Sequence, residues 1–326
     1  MVVDVHTHVC PPRLDAPGDA SAFWPCIAPE GPHKATITIN GAVFRVIDER
    51  SWDGQRRLQD MENEGVWAQV LSPMPELLSY WLRVDEARRL ADLVNKQILA
   101  TAECDPARFK ALGMVTAQDA AVAVRQLEAL SRLGFCGIEM GSHVNGCPLG
   151  DPRHYPIYEA MEALGLALFV HPLHPCGCER IGGGGAFGAA ALFPGEIALA
   201  AVSLIRGGVM ERFPKLRILL SHGGGSLQIV LARLSVAWSL SGEIRNEVAC
   251  QPDLYAKRFY YDSNVYDPRL IAALAERVGA DRIAVGSDYP FLIRQERPGQ
   301  FLHSVLPDAG AAASLWLSPT QQEESL

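Results

Sequence analysis

From Asp53 onward the chain repeats one unit, an amphipathic helix followed by a short and nearly continuous apolar run. The runs are Trp67 to Leu71, Phe109 to Val115, Phe135 to Met140, Leu166 to Val170, Arg217 to Ser221, Phe259 to Asp262 and Arg282 to Gly286. Runs that are apolar throughout, rather than at alternate positions, belong to strands buried on both faces, which is the signature of parallel strands covered by helices. With Val2 to Val5 there are eight strands, the number that closes a (β/α)8 TIM barrel in the α/β class.

Between the first strand and Asp53 lies a segment too long for an ordinary barrel loop. Cys10 to Pro32 is rich in proline and polar residues and reads as neither helix nor strand. Ala35 to Asn40 and Val43 to Ile47 then form a hairpin around Asn40-Gly41. Residues 10–52 are therefore an insertion in a single domain spanning 1–326, packed over the exit of the first strand. Residues 174–190, with Gly182 to Gly185, read as a mobile loop; the Lys-Ser/Thr that completes a phosphate cradle does not follow. Ala311 to Leu317 resembles a last helix, and 318–326 reads as a disordered tail.

The chain has 326 residues, 48% of them hydrophobic, enough for one large core without disulfides. Its formal net charge of -8 and the lack of a basic run argue against nucleic acid. Eight cysteines without CxxC spacing point to a reducing compartment. The N-terminus opens on a strand instead of a charged and apolar leader, and no apolar run reaches bilayer length. These features predict a cytoplasmic protein that does not engage membranes.

Barrel active sites gather at the carboxyl ends of the strands. The first strand delivers His6 and His8, one residue apart and so on the same side. The fifth delivers His171, the sixth His222 and the eighth Asp288. A single histidine at a strand end is more often a satisfied core residue than a ligand, but five such groups from four strands converge on one rim. The set predicts one borderline divalent metal, zinc with manganese as the alternative, held by His6, His8, His171 and Asp288 with a water in an open position. A bridging lysine after the fourth strand would favour two metals, and Gly141, Ser142 and His143 stand there instead.

The pieces Asp4-Val5-His6-Thr7-His8, Val170-His171-Pro172, Ser221-His222-Gly223-Gly224-Gly225 and Gly286-Ser287-Asp288-Tyr289-Pro290-Phe291 resemble the amidohydrolase superfamily. More narrowly they resemble its 2-amino-3-carboxymuconate-6-semialdehyde decarboxylases, from residue 2 to about residue 300, through Val43-Phe44-Arg45, Trp52-Asp53, Ser79-Tyr80-Trp81 and Gly141 to Asn145. The resemblance implies a non-oxidative decarboxylase of a small unsaturated or aromatic carboxylate, such as the aminocarboxymuconate semialdehyde or an amino- or hydroxybenzoate. It implies no organic cofactor. His222 would act as acid or base on metal-bound water, with Asp288 serving both as ligand and in catalysis. Arg45 would grip a substrate carboxylate, while Arg233 would reach into the neighbouring subunit of a homodimer. An imidazole can move the proton and an arginine fork suits a planar carboxylate.

The fifth-strand motif departs from the family's His-Pro-Trp-Asp and reads His171-Pro172-Leu173-His174. An aromatic wall and an acid give way to an aliphatic residue and an imidazole, so the metal chemistry can persist while the substrate changes. His174, Trp81 and Phe291 are expected to line the substrate. Two other classes stay open: a hydrolase or hydratase using the same activated water on an amide, lactone or alkene, and a non-catalytic acid-binding barrel.

Overall fold

The apolar runs form eight parallel strands, Val3–Val9, Ala68–Pro73, Phe109–Gly113, Gly137–Gly141, Ala167–His171, Ile218–Leu220, Tyr260–Asp262 and Ile283–Ala284, hydrogen-bonded in chain order. The computed structural model describes residues 1–318. The eighth strand returns to the first through parallel bridges at Asp4–Val285 and Thr7–Tyr289, with Val5 N donating to Val285 O at 2.8 Å and His8 N to Tyr289 O at 2.7 Å. The (β/α)8 barrel expected from the periodicity is the observed fold.

Burial follows from the continuous apolar strands. Inward residues Val5, Val70, Leu112, Phe169, Leu219 and Ala284 make a core inside the barrel, and the outward ones pack beneath the helices in a second, larger core. Helix Ala311–Leu317 seats the fully buried Trp316 against the inner core, its Nε1 donating to Leu168 O at 3.3 Å. Truncating a tryptophan so placed costs about 3–5 kcal/mol. Several helices start where sequence logic puts them: Asp53, Asp119 and Asp267 each accept backbone N–H bonds at a helix N-terminus.

Three elements differ from the sequence reading. The insertion holds three antiparallel strands, Cys26–Pro29, Lys34–Ile39 and Ala42–Asp48, where two were expected. Its turn residues Asn40 and Gly41 both have positive φ, as a tight hairpin turn requires. The first strand runs through both histidines to Val9, with a register shift between Asp4 and Thr7. Helix Gly185–Arg206 begins inside the segment expected to be a mobile loop, and Pro194 lies within it. By length and composition alone this helix could cross a bilayer, contrary to the expectation that no run was long enough. Its buried residues, Glu196, Ile197, Ala201 and Leu204 among them, are part of the globular packing. Most of the expected disordered tail, 319–326, lies outside the described residues.

Candidate metal centre and active site

The centre is assembled by backbone ties between the first and eighth strands. The Asp4 carboxylate accepts from the backbone N–H of His6 at 3.2 Å and of Ser287 at 3.0 Å, and from the Ser287 hydroxyl. Asp288 N donates to His6 O at 2.9 Å. Asp288 sits in the left-handed region at φ 70°, a conformation that a non-glycine residue holds only where its surroundings impose it. Its Oδ1 is thereby placed 3.2 Å from His6 Nε2 and 3.1 Å from His8 Nε2.

His171 closes the group from the end of the fifth strand, and one ligand atom from each of His6, His8, His171 and Asp288 lies within 4.8 Å of the others. All four residues are buried. Each ring is oriented from behind: Nδ1 of His6 meets Asp262 Oδ2 at 2.6 Å, Nδ1 of His8 meets Pro73 O at 3.0 Å, and Nδ1 of His171 meets Pro172 O at 2.9 Å. That pattern leaves the Nε2 lone pairs facing one another. Among the described residues, Nε2 of His6 and of His171 has no hydrogen-bond partner. Orphaned imidazole nitrogens opposite a carboxylate, with the second nitrogen of each ring held, are the donor set of a divalent ion.

Charge balance supports the same fit. Burial opposes a proton on His6, but the carboxylates of Asp288 and Asp262 outweigh it and raise its pKa to about 10. Burial pushes the His171 pKa well below the usual imidazole range, and the neighbouring rings of His8 and His6 push it the same way. Two buried carboxylates thus demand positive charge where the imidazoles are needed as neutral ligands, and a divalent cation meets both demands.

His222 stands at the end of the sixth strand, its ring centroid 5.2 Å from that of His6 and 5.5 Å from that of His171. Its Nε2 has no hydrogen-bond partner among the described residues, and its Nδ1 lies 3.3 Å from Asn264 Nδ2. The adjoining turn is held by Asp262, which accepts from Gly223 N at 2.9 Å.

Around the mouth, Arg45 from the insertion places its guanidinium 4.2 Å from the centroid of Phe291, whose ring is 5.1 Å from that of His8. Exposed His174 stacks on Trp81 at 5.0 Å, and Trp81 Nε1 donates to Phe23 O at 3.1 Å. Arg233 is exposed on the helix Leu227–Leu240. Sequence reasoning missed Asp262, Asn264 and Glu139. Asp262 ends the seventh strand, so reading every strand end, instead of the histidine-bearing ones alone, would have found it. Glu139, buried in the fourth strand 3.6 Å from His8 Nδ1, has a carboxyl that burial holds well above the usual range.

Fold and centre together define a metal-binding barrel with one histidine- and aspartate-lined site at the carboxyl ends of its strands. The profile of the family described as Amidohydrolase matches residues 3–323. The chain is 32% identical to the 2-amino-3-carboxymuconate-6-semialdehyde decarboxylase of Dictyostelium discoideum, over 93% of this chain and 85% of that one. It is also similar to the crystal structure of 5-carboxyvanillate decarboxylase from Sphingomonas paucimobilis, with 26% identity, TM-score 0.69, and coverage of 82% of this chain and 80% of that one. The apo crystal structure of Metarhizium anisopliae IDCase shares the fold at TM-score 0.81 and 21% identity, covering 97% of this chain and 94% of that one. The chain belongs to the amidohydrolase family, among its 2-amino-3-carboxymuconate-6-semialdehyde decarboxylase relatives.

Proposed function

We propose that the chain is a metal-dependent, non-oxidative decarboxylase of a small unsaturated or aromatic carboxylate. The observation that carries this reading is the placement of His222 Nε2, unpartnered among the described residues, beside the four-residue ligand set and beneath a mouth that offers Arg45. His6, His8, His171 and Asp288 would hold one divalent ion, zinc by the donor set, with manganese the competitor. A bound ion would supply Lewis acidity and the charge that offsets the buried carboxylates.

The chain's own groups do the rest. Decarboxylation breaks the bond to the carboxylate, leaves the electron pair on carbon and replaces CO2 with a proton. His222 holds that proton at Nε2 and moves it to or from the reacting carbon, while Asn264 fixes the ring from the Nδ1 side. A positioned imidazole of this kind contributes roughly 10²–10⁴ in rate. Arg45 grips the carboxylate through its planar fork of donors, and the Phe291 face, 4.2 Å from the guanidinium carbon, holds that fork at the mouth.

We further propose a homodimer in which Arg233 reaches the neighbouring site. Ile229, Val236 and Leu240, on the same helix as Arg233, are exposed apolar residues, with Ile229 and Leu240 each 81% accessible, and a second copy would cover them. A cytoplasmic location is supported by the eight cysteines, all unpaired within the described residues.

The test is to incubate the metal-loaded protein with a panel of amino- and hydroxybenzoates and unsaturated acids labelled at the carboxyl carbon. Labelled CO2 supports the proposal. A product heavier by one water, with the label retained, would make the protein a hydratase or hydrolase instead.

A further inference from the structure

Arg57, on the helix Gly54–Glu64, is fully buried, yet its hydrogen-bond partners among the described residues include no carboxylate. Its Nη2 donates to His8 O, and its Nη1 donates to Gln69 Oε1 at 3.0 Å and to Thr7 Oγ1 at 3.4 Å. Burial lowers its pKa to about 10, so the guanidinium stays charged at neutral pH. A buried cation without a counter-charge is costly, and packing alone would be served by an apolar side chain of similar length.

The groups that Arg57 touches stand directly behind two of the four proposed ligands. The backbone of His8 is held on both sides, its N–H by Tyr289 O at 2.7 Å and its carbonyl by Arg57. Tyr289 follows Asp288 in the chain, and its ring centroid lies 4.9 Å from the Arg57 guanidinium carbon. The Tyr289 hydroxyl donates to Asp60 Oδ2 at 2.9 Å, and Asp60 stands one turn after Arg57 on the same helix. One helix turn therefore grips the residues that carry His8 and Asp288.

We propose that Arg57 is a positioning residue of the metal centre: its planar fork ties the His8 carbonyl to the Tyr289 face and so fixes where His8 and Asp288 stand relative to each other. This rests on the metal-dependent reading above. The distance it governs is the 3.1 Å between His8 Nε2 and Asp288 Oδ1. A lysine would keep the charge, but one ammonium cannot take the His8 carbonyl, the Gln69 amide oxygen and the Tyr289 face together. The fork, and not the charge alone, is what the site uses.

Two measurements test this: zinc affinity by competition with a chelator, and the visible absorption of the cobalt-loaded protein, which reports the ligand geometry. Arg57→Lys should bind zinc about 10–100-fold more weakly than wild type and show a displaced cobalt spectrum. Met61→Ala, which empties a buried site on the same helix, should lower the Tm but leave affinity and spectrum as in wild type. Wild-type affinity and spectrum in Arg57→Lys would overturn the inference. So would an equal loss of affinity in Met61→Ala, which would make Arg57 one more support of the fold. If the wild type takes up neither ion, the metal-dependent reading falls and this inference with it, whereas uptake by wild type and lysine variant alike removes the inference alone.

Discussion

His6 Nδ1 lies 2.6 Å from Asp262 Oδ2, and the other Asp262 oxygen accepts from Gly223 N at 2.9 Å, one residue beyond His222. One carboxylate from the seventh strand thus orients a proposed ligand and anchors the turn that carries the proposed proton-transfer group. Asp262→Asn should weaken metal binding by about 10–100-fold, as loss of a carboxylate behind a ligating histidine does. Competition against a chromophoric chelator measures it; affinity equal to wild type would remove Asp262 from the centre.

Removing the ion should cost stability as well as activity. A ligand present at 100 times its dissociation constant stabilises the folded state by about 2.7 kcal/mol. Calorimetry before and after chelation should show a Tm that falls and recovers on adding zinc or manganese, while His171→Ala should show little response to either.

Gly225 has φ 58°, and a Cβ there would lie 2.0 Å from Pro194 O. The same carbonyl accepts from Ser226 N at 2.9 Å, which ties the His222 turn to helix Gly185–Arg206. Gly225→Ala should destabilise the protein by about 3 kcal/mol or more, through both the clash and the left-handed backbone. Urea unfolding checks it, and a change below about 0.5 kcal/mol, the level of an ordinary surface substitution, would contradict the packing described.

Arg233→Ala should lower turnover without changing the mass of the assembly, because the residue is proposed to serve the neighbouring site and not to hold the interface. Ile229→Glu with Leu240→Glu should instead give monomers in analytical ultracentrifugation. Unchanged sedimentation of the double variant would place any interface elsewhere.

The barrel was legible because its strands are mostly apolar runs separated by amphipathic helices, a pattern that marks all eight strands. His6, His8, His171, His222 and Asp288 could be placed at one rim because barrel topology brings strand ends together without further information. Helix Gly185–Arg206 was not legible at its start: glycines and Pro194 argue against a helix locally, and tertiary contacts such as Pro194 O to Ser226 N override them. Glu76 was hidden for a different reason. It forms an ion pair with Arg45 from the insertion, N to O 2.6 Å, and no pattern in either segment announces the other.

The most direct test of the central claim follows both products of one turnover in deuterium oxide, with wild type and His222→Ala loaded with metal side by side. The account predicts one CO2 released and one deuterium gained at the carbon that bore it. It also predicts that the variant keeps its metal while losing activity by about 10²–10⁴-fold. CO2 release at the wild-type rate from the variant, or loss of its metal, would contradict the role assigned to His222.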